Sequence, residues 1–362
     1  MQTTKWQLFR FTLIYLCSQV AVFLIPILIT SSSYQGGIAL LAGFALSVII
    51  LVFTIHVGML RPNQAWVDFG RDIVGKWGHR FVLVILLCWC VYFAAFDIQN
   101  FVLFFGSNYL RGTPPLFIQC LLGLVIMYTA SLGFTTLVYM ADGIFLIFCA
   151  AIVFSLFIFL PNADFSMLPA LIHYHDPGIA VKDSFVVTSW FAEWVVFLFV
   201  VPDLKMEVRM FKKIYFAGLC VLIIVLLDWL MTLLNFGPHL GKDLNYPLVD
   251  MVRSTSQDDI LSNIDPLLIG VWSSSMFIHS SFLIYVAFRC VSNLTKGRGS
   301  KYIIPALITG AVAIAYIYSR NLASYFIHYK SFTTVIIWLL VECIPVYYSI
   351  VAFIRFRKGM PK

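Results

Sequence analysis

Residues 184–202 read SFVVTSWFAEWVVFLFVVP. The stretch is long enough to cross a bilayer as a helix, which takes about 20 predominantly apolar residues. It nevertheless holds a carboxyl, Glu193, nine residues from either end. Neither helix end is near enough for that side chain to reach the headgroups, so it needs a partner or a wet cavity inside the protein. An apolar span with an acid at its centre decides the fold class, and similar stretches fill the rest of the chain.

Working outward, apolar blocks lie near 11–30, 38–60, 81–105, 115–133, 140–160, 184–202, 214–236, 266–292, 303–320 and 332–354. The 362 residues are 61% hydrophobic and 11% charged, outside the range of a soluble domain. The expected fold is an all-α integral membrane protein of ten transmembrane helices, a single polytopic membrane domain over 1–362. The first block lacks a small-residue cleavage site and reads as a span, not a removable leader.

Lys and Arg set the orientation. Of the 24 basic residues only Arg111, Lys182, Lys242, Arg253, Arg320 and Lys330 fall in the segments after odd-numbered blocks. The remainder cluster at the N-terminus, in every second connection and in the tail, which places both termini in the cytoplasm. The net charge of +7 is this same bias. It speaks for the lipid bilayer surface and against nucleic acid as a partner.

Two connections have content. RPNQAWVDFGRDIVGKWGHR, 61–80, sets Trp66, Phe69, Ile73 and Trp77 at helical spacing opposite Arg71, Asp72 and Lys76. That predicts an amphipathic helix in the interface with tryptophans at headgroup level. The stretch 237–265 carries a short helix near Pro247–Arg253, placed to cover an entrance.

Ten blocks making two halves of five is the arithmetic of inverted-repeat transporters, because an odd number of spans inverts the second half. A weak echo supports it: Gln19-Val-Ala-Val-Phe-Leu-Ile in the first block against Glu193-Trp-Val-Val-Phe-Leu-Phe in the sixth, followed by Pro26 and Pro202. Other ionisable residues at bilayer depth are Glu342, just before Pro345, and His279 in SSSMFIHSSF. Asp97 and Asp228 lie in outer halves of their spans. His279 reads either as a ligand contact or as an interhelical hydrogen bond. No basic residue is expected at the depth of Glu193, and Asp142 and Asp265 read as helix caps. The eight cysteines read as packing residues, and His173 with His175 make a poor metal pair. No phosphate loop, nucleophile elbow or zinc motif is present, so no enzyme, cofactor or metal is expected.

Four ordered segments resemble the spore germination permease family, the B subunits of bacterial spore germinant receptors. They are QAWVDFGRDIVGKWGHRF (64–81), MLPALIHYHDPGIAVKDSF (167–185), AEWVVFLFVVPDL (192–204) and NIDPLLIGVWSSSMFIHSSFLIY (263–285). The resemblance implies the amino acid–polyamine–organocation superfamily with its 5+5 inverted-repeat transporter-like core. It also implies a spore inner-membrane location and partnership with an A-type subunit and a C-type lipoprotein subunit. The implied function is binding of a small nutrient germinant, such as an amino acid, in a mid-membrane pocket that signals to those partners. The substrate-binding candidates carried onto this chain are Gln19, Ala21, Tyr92, Phe96, Glu193, Phe197, His279, Ser280 and Glu342. The alternative is a secondary active transporter of an amino acid or related solute with Glu193 as coupling carboxyl. One departure stands out: the family pattern has a glycine near a break in span one, where this chain reads SQVAVFLIP, 18–26.

Overall fold

A computed structural model of the chain describes residues 3–173, 176–200, 208–255, 265–329 and 331–356. Among them all regular structure is helical. Nine segments are long and apolar enough to span a membrane: Lys5–Ser31, Ser33–Leu60, Lys76–Asn108, Phe134–Asn162, Pro177–Val200, Met210–Gly241, Leu268–Thr295, Ser300–Arg320 and Phe332–Arg355. A shorter apolar helix, Pro115–Ser131, falls fourth in order, so these are spans one to ten. Most helices outrun their apolar blocks because polar residues continue them. Span one, for example, starts at Lys5, where Thr4 and Gln7 form a reciprocal capping box.

The packing is paired. Span three lies along span eight, and span four along span nine. Span two packs on six as seven packs on one. Span one packs on five as six packs on ten, and span nine on three as four on eight. Exchanging span n for span n+5 maps these pairs onto one another. A five-plus-five repeat, inverted because five is odd, gives this pattern.

Close approach of spans two and six depends on Gly43. A Cβ there would lie 2.5 Å from the Val187 Cβ and 2.6 Å from the Ser184 carbonyl oxygen. Thr188 Oγ1 donates across the same contact to the Gly43 carbonyl at 3.2 Å.

The connection 61–80 forms a helix, Trp66–Val74, that ends at Gly75. Gly75 holds φ +85°, a left-handed value that suits glycine, and the chain turns there into span three. The apolar face therefore docks on the protein and not on headgroups. Trp66, Phe69 and Ile73 are buried, with Trp66 edge-on to His79, Phe199 and Tyr348. Trp77 begins the next helix and is the one member of that stripe that faces outward.

Asp142 is also not a cap. It sits inside the helix of span five and pairs with Arg10 of span one. Asp265 opens the helix of span eight, Asp265–Thr295. The short helix of the long connection is Pro247–Thr255. His173 closes a single turn, Ala170–His173, whereas His175 and Pro202 lie outside the described residues.

Candidate functional site

Three spans leave α geometry beside a buried polar residue. Span one is α-helical through Gln19, widens to a π-helix over Val20–Leu24, and resumes at Ile25 with Pro26 in its first turn. Pro26 has no N–H for the carbonyl a turn earlier, so the ladder cannot continue unchanged. Side chains capture carbonyls around this break: Trp272 Nε1 donates to the Ser18 oxygen at 2.9 Å, and the Tyr329 hydroxyl to the Phe23 oxygen at 2.8 Å. No glycine is involved.

Span six is α-helical to Phe191, turns at Ala192 (φ −92°, ψ 21°), and continues as a 3₁₀ helix over Glu193–Val200. Trp194 Nε1 anchors the tighter segment to the Ser47 carbonyl of span two at 2.9 Å. Span ten ends its first helix at Glu342, turns at Cys343 and restarts at Ile344, with Pro345 in the new first turn. Gln19, Glu193 and Glu342 thus mark the breaks of spans one, six and ten.

Beside the break of span six stands His279 of span eight. Its Nδ1 lies 2.7 Å from Asp97 Oδ2 and its Nε2 lies 2.9 Å from Glu193 Oε2. The Tyr15 hydroxyl donates to Glu193 Oε2 at 2.5 Å, and the Ser280 hydroxyl to Asp97 Oδ2 at 2.7 Å. The Gln19 amide also donates to Asp97. The Tyr15 ring stacks on the imidazole, centroids 4.6 Å apart and planes 26° apart. Tyr15, Asp97, Glu193 and His279 are each no more than 2% exposed.

Two hydrogen bonds from the imidazole nitrogens to two carboxyl groups need at least two protons, wherever each resides. With two protons shared among them, Asp97, His279 and Glu193 carry a net charge of −1. Glu342, fully buried and within Coulombic range of Glu193, has no hydrogen-bond partner on either oxygen among the described residues. Buried charge of one sign is costly in an apolar interior, so a cation is the complement this arrangement calls for.

Aromatic rings close the group on both sides. Phe11, Phe197 and Phe282 surround Tyr15 toward the N-terminal end of span one. In the other direction Phe96 packs on Trp190, Tyr325, Tyr329 and Trp338. The Tyr325 hydroxyl in turn donates to Asn100 at 2.5 Å. Cavities of about 130 and 170 Å3 lie beyond, on the side of the 237–255 connection, and neither is lined by Asp97, Glu193 or His279.

Of the residues expected to line a pocket, Gln19, Glu193, His279 and Ser280 meet in one hydrogen-bonded group. Phe197 and Phe96 stand in its aromatic walls, and Glu342 lies at the break of span ten. Two do not belong. Tyr92 points away and meets Tyr318 of span nine, hydroxyls 3.5 Å apart. Its neighbour Phe93 is the ring beside His279, centroids 5.7 Å apart. Ala21 lines the 130 Å3 cavity instead, with Asp228. The expectation that Glu193 lacks a basic neighbour is also corrected, because His279 is that neighbour. Sequence reasoning missed Tyr15, although it lies four residues before Gln19 and so shares its helix face. Asp97, read as an acid near outer loops, is a full member. Among the described residues no group of three or more His, Cys, Asp or Glu is arranged to hold a metal ion.

Comparison with known proteins matches this architecture. The chain is similar to a sodium-coupled sialic acid symporter in its substrate-bound outward-open state, with a TM-score of 0.67, 13% identity, and coverage of 88% of this chain and 75% of that one. It is similar also to Mhp1, a nucleobase-cation-symport-1 family transporter in a closed conformation with bromovinylhydantoin bound. There the TM-score is 0.63 at 14% identity, covering 95% of this chain and 74% of that one. At such identities the likeness concerns the fold, which is an all-α transporter fold. In sequence, the chain is 24% identical over 301 residues to spore germination protein XB of Bacillus anthracis, covering 81% of each. The family profile described as spore germination protein matches residues 3–325, taking in the breaks of spans one and six and the Asp97–His279–Glu193 group. On that match the chain belongs to the spore germination protein family.

Proposed function

We propose that this chain is the membrane-embedded nutrient-sensing subunit of a spore germinant receptor. It binds a small solute bearing an ammonium group, such as an amino acid, between spans one, three, six, eight and ten. The observation that carries this reading is the imidazole of His279 held between Asp97 and Glu193 where spans one and six leave α geometry. With two protons shared, the group is one positive charge short of neutrality, and an ammonium supplies the complement. The broken ends of spans one and six add backbone groups suited to a carboxylate or amide at the other end of such a solute.

Both termini then face the cytoplasm, as the distribution of Lys and Arg supports, and the cavities beside the 237–255 connection face outward. The membrane is the spore inner membrane. Binding would shift the packing of spans one and six, and A-type and C-type subunits docked on the membrane domain would read that shift. The test is a spore whose only copy of the gene carries Glu193→Gln. The expected result is loss of response to the nutrient that triggers wild-type spores, with unchanged protein level. An unchanged response would overturn the assignment.

A second reading, secondary transport with Glu193 as the coupling carboxyl, is favoured by the fold shared with two solute transporters. It predicts accumulation of labelled solute by proteoliposomes holding this chain alone. The receptor reading predicts binding without accumulation.

A further inference from the structure

Asp228 of span seven takes no part in the group around His279. It is 6% exposed, and among the described residues its carboxyl makes no hydrogen bond or ion pair. It lines the 130 Å3 cavity, a half-open one walled by spans one, three, five, seven and eight and by the helix Pro247–Thr255. The remaining wall is apolar and aromatic, with Phe104, Phe148, Tyr246 and Trp272 among its members. No Lys, Arg or His is among the described lining residues, and Asp228 is the one carboxyl there.

Of the other polar side chains at the wall, only the Cys17 thiol and the Tyr246 hydroxyl, both neutral, make no hydrogen bond among the described residues. The hydroxyls of Ser155 and Ser275 donate to carbonyls of their own helices at 2.8 and 2.7 Å, and the Trp272 indole donates to Ser18. The cavity also abuts the break in span one, through Ala21 and Val22, whose carbonyls lie a turn before the N–H that Pro26 lacks. A carboxylate alone in such surroundings is disfavoured unless a cation joins it. Aromatic faces add to the attraction for an ammonium. The volume compares with cavities of about 150 Å3 that hold a benzene-sized guest.

We infer that this cavity is a second ligand site, separate from the one around His279, and that it takes a small protonated amine with a branched or ring-shaped apolar body. The ammonium pairs with Asp228 and the body fills the aromatic wall. A zwitterionic amino acid is excluded by the same wall, because its carboxylate would meet no positive charge. Occupancy would hold the helix Pro247–Thr255 down on the spans, since Pro247, Leu248, Val249 and Val252 form that side of the cavity.

The test is thermal melting of the full chain in lipid nanodiscs with isobutylammonium chloride, an alkylamine protonated at neutral pH as lysine is. Isobutanol, of the same size and uncharged, is the comparison. The amine should raise the melting temperature in a saturable way and the alcohol should not. Asp228→Asn should weaken the amine's apparent affinity about ten- to hundredfold, as for loss of a charge-assisted contact. Ala21→Leu, which fills the cavity and leaves the carboxyl in place, should do the same. Equal shifts from amine and alcohol, or an amine shift retained in both variants, would overturn the site.

Discussion

The phenol of Tyr15 hydrogen-bonds the Glu193 carboxylate across 2.5 Å, joining span one to span six at the level where both leave α geometry. These two spans exchange under the five-plus-five repeat, so one hydrogen bond joins symmetry-related elements at their breaks. His279 extends the link to span three through Asp97. Any solute that displaces this group acts on several spans at once, which is how a binding event could become a rearrangement.

Tyr15→Phe removes one donor from a buried carboxylate and leaves the ring stack on His279 in place. A hydrogen bond to a charged group is worth about 1.5–3 kcal/mol, so the variant should lose stability of that order. Thermal or denaturant unfolding in detergent measures it. A variant as stable as wild type would show that the phenol contributes nothing to the group.

His279→Ala leaves two buried carboxyl groups facing each other's charge. Breaking a buried ion pair costs about 3–5 kcal/mol, so this variant should be the most destabilised of the set. Adding Asp97→Asn should recover part of the loss, because a carboxylate that no longer needs the imidazole is gone. A double-mutant cycle on stability reads the coupling, and strict additivity would contradict the bridge.

Gly43→Val should separate spans two and six, since its branched side chain must pass the Val187 Cβ and the Ser184 carbonyl. Overpacking of this kind costs about 1–3 kcal/mol. Crosslinking between cysteines placed on the two spans should slow with it. Unchanged stability and crosslinking would mean that the contact gives way freely.

Asp250, in the helix Pro247–Thr255, has its carboxyl pushed up from the ordinary value by burial, with nearby Arg253 partly offsetting this. A carboxyl with a raised folded pKa favours the folded state while protonated. That contribution is full below the unfolded pKa, near 3.8, and is lost as pH rises through the folded value. Hydrogen exchange over 247–255, corrected for intrinsic rates, should therefore show weaker protection at neutral pH than in mild acid. In Asp250→Asn the pH dependence should flatten. Protection that rises with pH in wild type would contradict the sign.

Much of this architecture can be read from polarity against an apolar background. Glu193, His279 and Gln19 are conspicuous because a bilayer tolerates few such groups, and the structure brings them together. Pro26 marks the interruption of span one in the sequence, although the glycine of the family pattern is absent. What the sequence does not show is that Trp272 and Tyr329 catch carbonyls around it from far along the chain. Tyr15 is hidden for another reason: tyrosine is unremarkable in a span, and only its four-residue spacing from Gln19 marks it. Tyr92 shows how fine the helical register is. One residue rotates a side chain by about 100°, so Phe93 meets His279 while Tyr92 meets Tyr318. Trp66 looks like an interfacial anchor until the turn at Gly75 folds its helix onto the protein. Such long-range docking leaves no periodic trace in the chain.

The most direct measurement is thermal melting of the purified full chain in nanodiscs against a panel of amino acids, beside Glu193→Gln. The account predicts that at least one amino acid raises the wild-type melting temperature by linkage and that the shift disappears in Glu193→Gln. A shift of equal size in Glu193→Gln would contradict it, because the ammonium would then be held elsewhere than between Asp97, His279 and Glu193.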